Sequence, residues 1–154
     1  MYKKILIPLN GSKQAEKILP IIALMSGSIQ PEIILVFIVS TPSPKTDPYG
    51  LGIVDYQYDK LDQYLIEEKE YLESVQEKLH AENSKVNTIT EIGDTTEIIC
   101  RIVHDEKVDL VAFSEHETQG ISKIFYKSLS SCLKGKLSCP FLIFRQGQLS
   151  HDEN

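Results

Sequence analysis

Short apolar runs rich in Val, Ile and Phe alternate along the chain with longer segments whose apolar positions recur every three or four residues. The short runs read as strands of a parallel sheet and the longer segments as the crossover helices that join them. Five runs are visible. The first, Lys4 to Leu9, leads into Asn10-Gly11-Ser12, where Ser12 or Asn10 can cap a helix predicted to reach about Ser26. Pro20 should bend that helix, because proline removes one of its hydrogen bonds. The second run, Glu32 to Val39, is apolar on both faces and belongs near the middle of a sheet covered above and below.

Ser40 to Tyr56 contains Pro42, Pro44, Pro48, Gly50 and Gly52 and reads as a long irregular loop, a candidate lid or interaction segment. Its tyrosines, Tyr49 and Tyr56, together with Tyr58, either pack onto the domain or contact a partner. From Asp59 to about Glu82 the residues Leu61, Leu65, Leu72, Val75 and Leu79 mark one buried stripe of a surface helix. Glu68 interrupts that stripe, which argues against a coiled coil. The third strand is Val86 to Ile92, followed by Gly93-Asp94 and a helix from about Thr95 to Glu106 with Ile98, Ile99, Ile102 and Val103 on its apolar face. A fourth strand from Asp109 to Phe113, a polar loop from Ser114 to Gly120, a helix near Ser128 to Leu137 and a last strand from Pro140 to Phe144 complete the pattern. Residues 1–146 are expected to form one domain and 147–154 a solvated tail.

This order predicts an α/β fold, a doubly wound, five-stranded parallel sheet flanked by helices. Such sheets bind ligands beyond the carboxyl ends of their strands, at the point where the strand order reverses. Here those ends carry Leu9-Asn10-Gly11, Val39-Ser40 and Phe113-Ser114-Glu115.

Charge narrows the choice of ligand. The 154 residues include 16 Lys and Arg against 22 Asp and Glu, a net charge of −6, with no basic block to capture a polyanion. Nucleic acid and anionic membranes are therefore not expected partners. The apolar run after Met1-Tyr2-Lys3-Lys4 is too short for a signal peptide or a membrane span, so the expected location is the cytoplasm. Cys100, Cys132 and Cys139 are odd in number and lack CxxC spacing, which predicts reduced thiols, two of them buried. His80, His104, His116 and His151 are scattered, no pair has ligand spacing, and no metal is expected. Glu115, His116 and Glu117 read as a solvated loop, with a carboxylate–imidazole metal trap as the alternative. There is no GxSxG elbow, GxxxxGK[ST] loop or GxGxxG turn, so no residue set points to catalysis.

Ile5-Leu6-Ile7-Pro8-Leu9-Asn10-Gly11-Ser12, Ile92-Gly93-Asp94, Val108-Asp109-Leu110-Val111-Ala112-Phe113, Ser128 and Ser138-Cys139-Pro140-Phe141-Leu142-Ile143 together resemble the universal stress protein (UspA-like) family over essentially the whole chain. The resemblance implies a flavodoxin-like sheet of the adenine nucleotide alpha hydrolase-like type with strand order 3-2-1-4-5. It also implies a homodimer formed by the last strands, with Phe141, Leu142, Ile143 and Phe144 as the candidate interface. At a sheet edge these residues would expose apolar side chains beside unpaired backbone, which a second copy would cover.

The resemblance further implies a choice between ATP binding and none. Binding members carry a glycine, two residues, a glycine, nine residues, then a glycine followed by Ser or Thr; here the glycine positions fall on Ser114, Glu117 and Lys127, and only Ser128 keeps its type. Those glycines let bare backbone N–H groups approach phosphate. Glu117 places a carboxylate there instead, and two like charges about 4 Å apart repel by about 4 kcal/mol at an effective dielectric of about 20. Lys127 works the other way, as a cation beside Ser128, and Gly120 adds flexibility out of register. Asn10 stands where binders have Asp near the nucleoside. The candidate nucleotide residues are thus Leu9, Asn10, Ile38, Ser114, Glu117, Lys127 and Ser128. Ser128, Asn10 and Ser12 also have a plain reading as caps and turn residues.

Three functions compete. The first is a non-enzymatic, dimeric stress-response module that acts through an unidentified protein partner, lacks tight ATP binding and needs no cofactor. The second is a sensor of ATP or AMP with an altered phosphate loop. The third is an enzyme such as a nucleotide hydrolase, for which no base, nucleophile or metal ligand set is visible.

Overall fold

The computed structural model describes residues 1–39, 58–80, 85–115 and 133–145. In chain order these form β1 (Lys4–Leu9), α1 (Lys13–Glu16), α2 (Ile18–Ser26), β2 (Glu32–Val39), α3 (Tyr58–His80), β3 (Val86–Ile92), α4 (Thr95–Asp105), β4 (Leu110–Glu115) and β5 (Phe141–Arg145). All strand pairs are parallel, in the order β3-β2-β1-β4-β5. The predicted doubly wound sheet is therefore present. β1 is its centre and β2 the next strand out.

Alternation along the strands builds two core layers. Ile5, Ile7 and Leu9 of β1, Ile33 and Leu35 of β2 and Leu110 and Ala112 of β4 face α1, α2 and α3, where they meet Ile18, Ile22, Leu72, Val75 and Leu79. Leu6, Ile34, Val36, Val111 and Phe113 face the other way, onto Ile98, Ile99, Ile102 and Val103 of α4 and onto Leu133. Burying each large aliphatic side chain is worth about 1.5–3 kcal/mol, which makes these layers the main source of stability.

Pro20 does more than bend the first helix. An N–H at residue 20 would bond the carbonyl of Glu16, and a proline ring at that position also crowds it. The helix accordingly stops at Glu16 and restarts at Ile18, with the Lys17 N–H tightening onto the Gln14 carbonyl at 3.2 Å. Ser12 is the cap, its Oγ accepting from the Ala15 N–H at 3.1 Å. Asn10 supports it one step earlier, with Oδ1 accepting from the Ser12 N–H at 3.1 Å and from the Ser12 hydroxyl at 2.6 Å. α4 is capped the same way, Asp94 Oδ1 accepting from the Glu97 N–H at 2.9 Å.

Several boundaries differ from expectation. β4 continues through Ser114 and Glu115, so these two residues belong to the strand rather than to the polar loop predicted from Ser114. The reason is pairing: Ser114 lies opposite Phe144 and Glu115 opposite Arg145 in the β4–β5 ladder. β5 is shifted by one residue, since Pro140 has no N–H to give and offers only its carbonyl, to the Val111 N–H at 3.1 Å. α3 begins at Tyr58. The loop predicted over Ser40 to Tyr56, the loop positions Glu117, Lys127 and Ser128, Cys132 and the tail lie outside the described residues.

Candidate functional site

The carboxyl ends of β1 and β4 part company at a proline. The Lys3 carbonyl accepts from the Glu32 N–H of β2 at 2.8 Å, and the Lys4 carbonyl accepts from the Asp109 N–H on the β4 side at 3.0 Å. In a parallel ladder this alternation continues in steps of two, which turns the backbone of Leu6 and Pro8 toward β4. Pro8 has no N–H to donate. The β1–β4 register accordingly runs only from Ile5↔Leu110 to Leu6↔Val111, while β1–β2 continues to Leu9↔Phe37. The result is an opening at the reversal point of the strand order, where sheets of this kind hold ligands.

Four candidate nucleotide residues are described around it. Leu9 is buried in the core, so it offers the opening only its backbone. Asn10 is exposed and engaged with Ser12. Ile38 lies one strand away on β2, its half-buried side chain packed on the α4 layer. Ser114 is 2% exposed. By strand alternation its side chain is directed to the same sheet face as Ala112, toward α1 and α2. Its Oγ and the Nε2 of Gln14, on the α1 helix that packs over β4, are buried with no hydrogen-bond partner among the described residues. Polar groups in that position normally carry a partner.

The structure adds residues that local sequence patterns do not place here. Gly11 has φ +80, and a Cβ built on it would lie 3.8 Å from Phe37 Cε2 and 4.0 Å from Glu68 Oε2. The interruption in the α3 stripe therefore stands against the β1–α1 turn. Glu68 is half-buried, and burial, reinforced by the neighbouring Glu67 charge, raises its carboxyl above the ordinary range. Its carboxylate makes no hydrogen bond or ion pair with another described residue. One turn along α3, Tyr71 packs edge-on against Phe37 with ring centroids 6.2 Å apart, and its hydroxyl donates to Glu16 Oε1 at 3.0 Å. Lys13 Nζ donates to the other Glu16 oxygen at 3.4 Å. The described wall of the opening is thus uncharged or acidic, apart from a lysine already paired with a glutamate.

The other candidates lie elsewhere. Phe141 and Ile143 of β5 pack on the α4 layer and Leu142 and Phe144 on the opposite one, all four half-buried rather than exposed as expected of an edge. Cys100 and Cys139 are free and half-buried rather than buried, and burial pushes both thiols up. No group of His, Cys, Asp and Glu among the described residues could hold a metal ion. No helix among the described residues is long and apolar enough to cross a membrane.

A doubly wound, five-stranded parallel sheet of order β3-β2-β1-β4-β5 defines a protein of the α/β class. The model of the universal stress protein family matches residues 1–145, and the chain belongs to that family. It is 24% identical to universal stress protein MJ0577 of Methanocaldococcus jannaschii, over 95% of this chain and 96% of that one. The solved MJ0577 structure superposes with a TM-score of 0.72 at 26% identity, covering 96% of this chain and 99% of the other. A universal stress protein in complex with cAMP shares the fold at TM-score 0.62 and 11% identity, covering 93% of this chain and 96% of that one. A family member from Arabidopsis thaliana with AMP bound does so at 0.63 and 14%, covering 95% and 93%.

Proposed function

We propose that this chain is a non-enzymatic regulatory module of the universal stress protein family, dimeric through β5, which acts through protein partners and does not bind ATP tightly. The observation that carries this reading is the charge around the opening. Glu68 stands beside the β1–α1 turn with no ion-pair partner among the described residues, and the sequence supplies Ser114, Glu117 and Lys127 where a phosphate loop needs glycine. A triphosphate brings several negative charges to that wall, and each close carboxylate weakens binding. Ser114 moreover belongs to the strand β4, opposite Phe144 of β5, rather than to a loop.

A second reading is favoured by Ser114 and Gln14, whose buried polar atoms have no hydrogen-bond partner among the described residues. In it, the module senses an adenine nucleotide of low charge. The AMP and cAMP held by two relatives of the same fold are of that kind.

Thermal-shift titration with ATP, with and without Mg²⁺, and with AMP tests both. The first reading expects no rise in Tm at micromolar ATP, and a rise of several degrees there would overturn it. The second expects a rise with AMP at millimolar concentration. Glycine at both Glu117 and Lys127 should bring ATP affinity into the micromolar range if the loop is the cause; unchanged affinity would shift the cause to the described wall.

A further inference from the structure

Of the asparagines in the chain, Asn10 is the one that glycine follows. An Asn-Gly pair carries a latent reaction, in which the next backbone nitrogen attacks the Cγ of the side-chain amide and closes a five-membered ring. The attack is intramolecular, so local geometry decides its rate. A Cβ on the following residue would shield that nitrogen, and Gly11 has none. The Gly11 N–H makes no hydrogen bond with another described residue, so the nucleophile is not engaged elsewhere in the described fold. Asn10 is exposed, so water reaches its amide.

The β1–α1 turn also prepares the electrophile. Asn10 Oδ1 accepts from the Ser12 N–H at 3.1 Å and from the Ser12 hydroxyl at 2.6 Å. The first of these bonds makes the side chain mimic a backbone turn, which folds Cγ back toward the Gly11 nitrogen. Both donors sit on the oxygen that takes up negative charge when the nitrogen adds to Cγ, as in an oxyanion hole. The Ser12 Oγ accepts from the Ala15 N–H at 3.1 Å, which holds the hydroxyl in place with its own proton turned to Asn10. Asn87 has the opposite setting, inside β3, before the β-branched Thr88, and with Nδ2 donating to Glu32 Oε1 at 2.8 Å.

We infer that Asn10-Gly11 is a site of spontaneous chemical modification, at which the Gly11 nitrogen displaces ammonia from the Asn10 amide and water then opens the ring to aspartate or isoaspartate. The N–Cγ bond forms as the Cγ–Nδ2 bond breaks, and the Gly11 proton leaves with the departing nitrogen as ammonia. The hydroxyl of water adds to one of the two ring carbonyls, and its proton returns to the ring nitrogen. Opening at Cγ gives aspartate on an unchanged backbone. Opening at the main-chain carbonyl gives isoaspartate and lengthens the turn between β1 and α1. Either product sets a carboxylate where a neutral amide stood, in the turn that already lies against Glu68. Aspartate keeps the Ser12 bonds and makes them charge-assisted, whereas isoaspartate displaces them. The molecules thus divide with age into forms that differ in charge at the end of β1, whichever ligand the opening takes.

The test is incubation of the full chain in mildly alkaline buffer, followed by isoelectric focusing and mass mapping of the tryptic segment Ile5 to Lys13. Asn10→Asp and Gly11→Ala variants, their folding checked by melting, run alongside. Wild type should acquire with time an acid-shifted species that focuses with Asn10→Asp and carries both aspartate and isoaspartate at residue 10, while Asn83 and Asn87 keep their amides. Gly11→Ala should slow the change about tenfold or more, because its Cβ shields the attacking nitrogen. The wild-type comparison of Asn10 with Asn83 and Asn87 decides by itself if Gly11→Ala does not fold. An Asn10 amide that persists in the native chain and is lost only in urea, or loss at Asn83 or Asn87 ahead of Asn10, would overturn the proposal.

Discussion

Glu32 and Glu68 show how position alone gives one residue type opposite pH behaviour. Glu32, at the start of β2, accepts from Lys85 Nζ at 3.1 Å and Asn87 Nδ2 at 2.8 Å, with Lys4 Nζ 3.7 Å away. The Lys85 bond, with Lys4 adding its charge, holds the carboxyl below the ordinary 4.5 despite some desolvation. A lowered acid stabilises the fold above 4.5, and that contribution is lost as pH falls through its folded value. Glu68 runs the other way, because burial raises it above 4.5. Its contribution is complete below that value and is lost as pH rises through the raised one. Glu32→Gln should therefore lower Tm most near neutral pH and least near about pH 3.5, whereas Glu68→Gln should raise Tm near neutral pH and leave it unchanged near about pH 4. Melts across that range decide, and two differences of the same sign would contradict the assignment. Glu68 was legible in the sequence only as a break in the Leu61 to Leu79 stripe. What it faces was not, because the meeting of α3 with the β1–α1 turn is tertiary. Gln14 gave no local signal at all, since a glutamine in the first turn of a helix is ordinary until its amide is found buried.

At the scale of elements, strands were easier to read than breaks. β1, β2 and β3 run as the apolar patterns predict, because strands covered on both faces are continuous in hydrophobicity. The extension of β4 through Ser114 was hidden because pairing with β5, rather than side-chain polarity, decides where that strand ends. Pro20 announced a bend, but the full stop at Lys17 follows from the carbonyl of Glu16, four residues earlier. Pro8 has the larger consequence, since it ends the β1–β4 ladder. Pro8→Ala should let residue 8 donate to β4 and narrow the opening. The new hydrogen bond is worth about 1 kcal/mol and the lost proline restriction about 0.4–1 kcal/mol, so stability should change by less than about 1 kcal/mol. Hydrogen exchange should find the amide of residue 8 protected, and nucleoside affinity should fall. A rapidly exchanging amide at residue 8 would refute this account of the opening. Ser12→Ala removes the α1 cap and should cost about 1 kcal/mol in denaturant unfolding.

At the scale of the whole molecule β5 is the outermost strand of the sheet among the described residues, and the proposed dimer pairs its outer edge with a second copy. The Pro140 carbonyl bonds β4, so by alternation the backbone of Leu142 and Phe144 is turned to β4 and that of Phe141, Ile143 and Arg145 to the open edge. Ile143→Pro removes an outward N–H without breaking a β4–β5 bond, and prolines are tolerated on edge strands. If the dimer forms by pairing of the last strands, light scattering should find wild type as a dimer and this variant as a monomer. A wild-type monomer at micromolar concentration would exclude the dimer.

The central claim is that an acidic opening at the strand ends excludes a triphosphate while leaving room for a less charged adenine compound. Its most direct test is parallel calorimetric titration of the full chain with ATP, AMP and adenosine at low ionic strength, where charge repulsion is least screened. The account predicts that affinity rises as phosphates are removed, adenosine binding at least as tightly as AMP and ATP most weakly. ATP binding tightest, in the micromolar range, would contradict it.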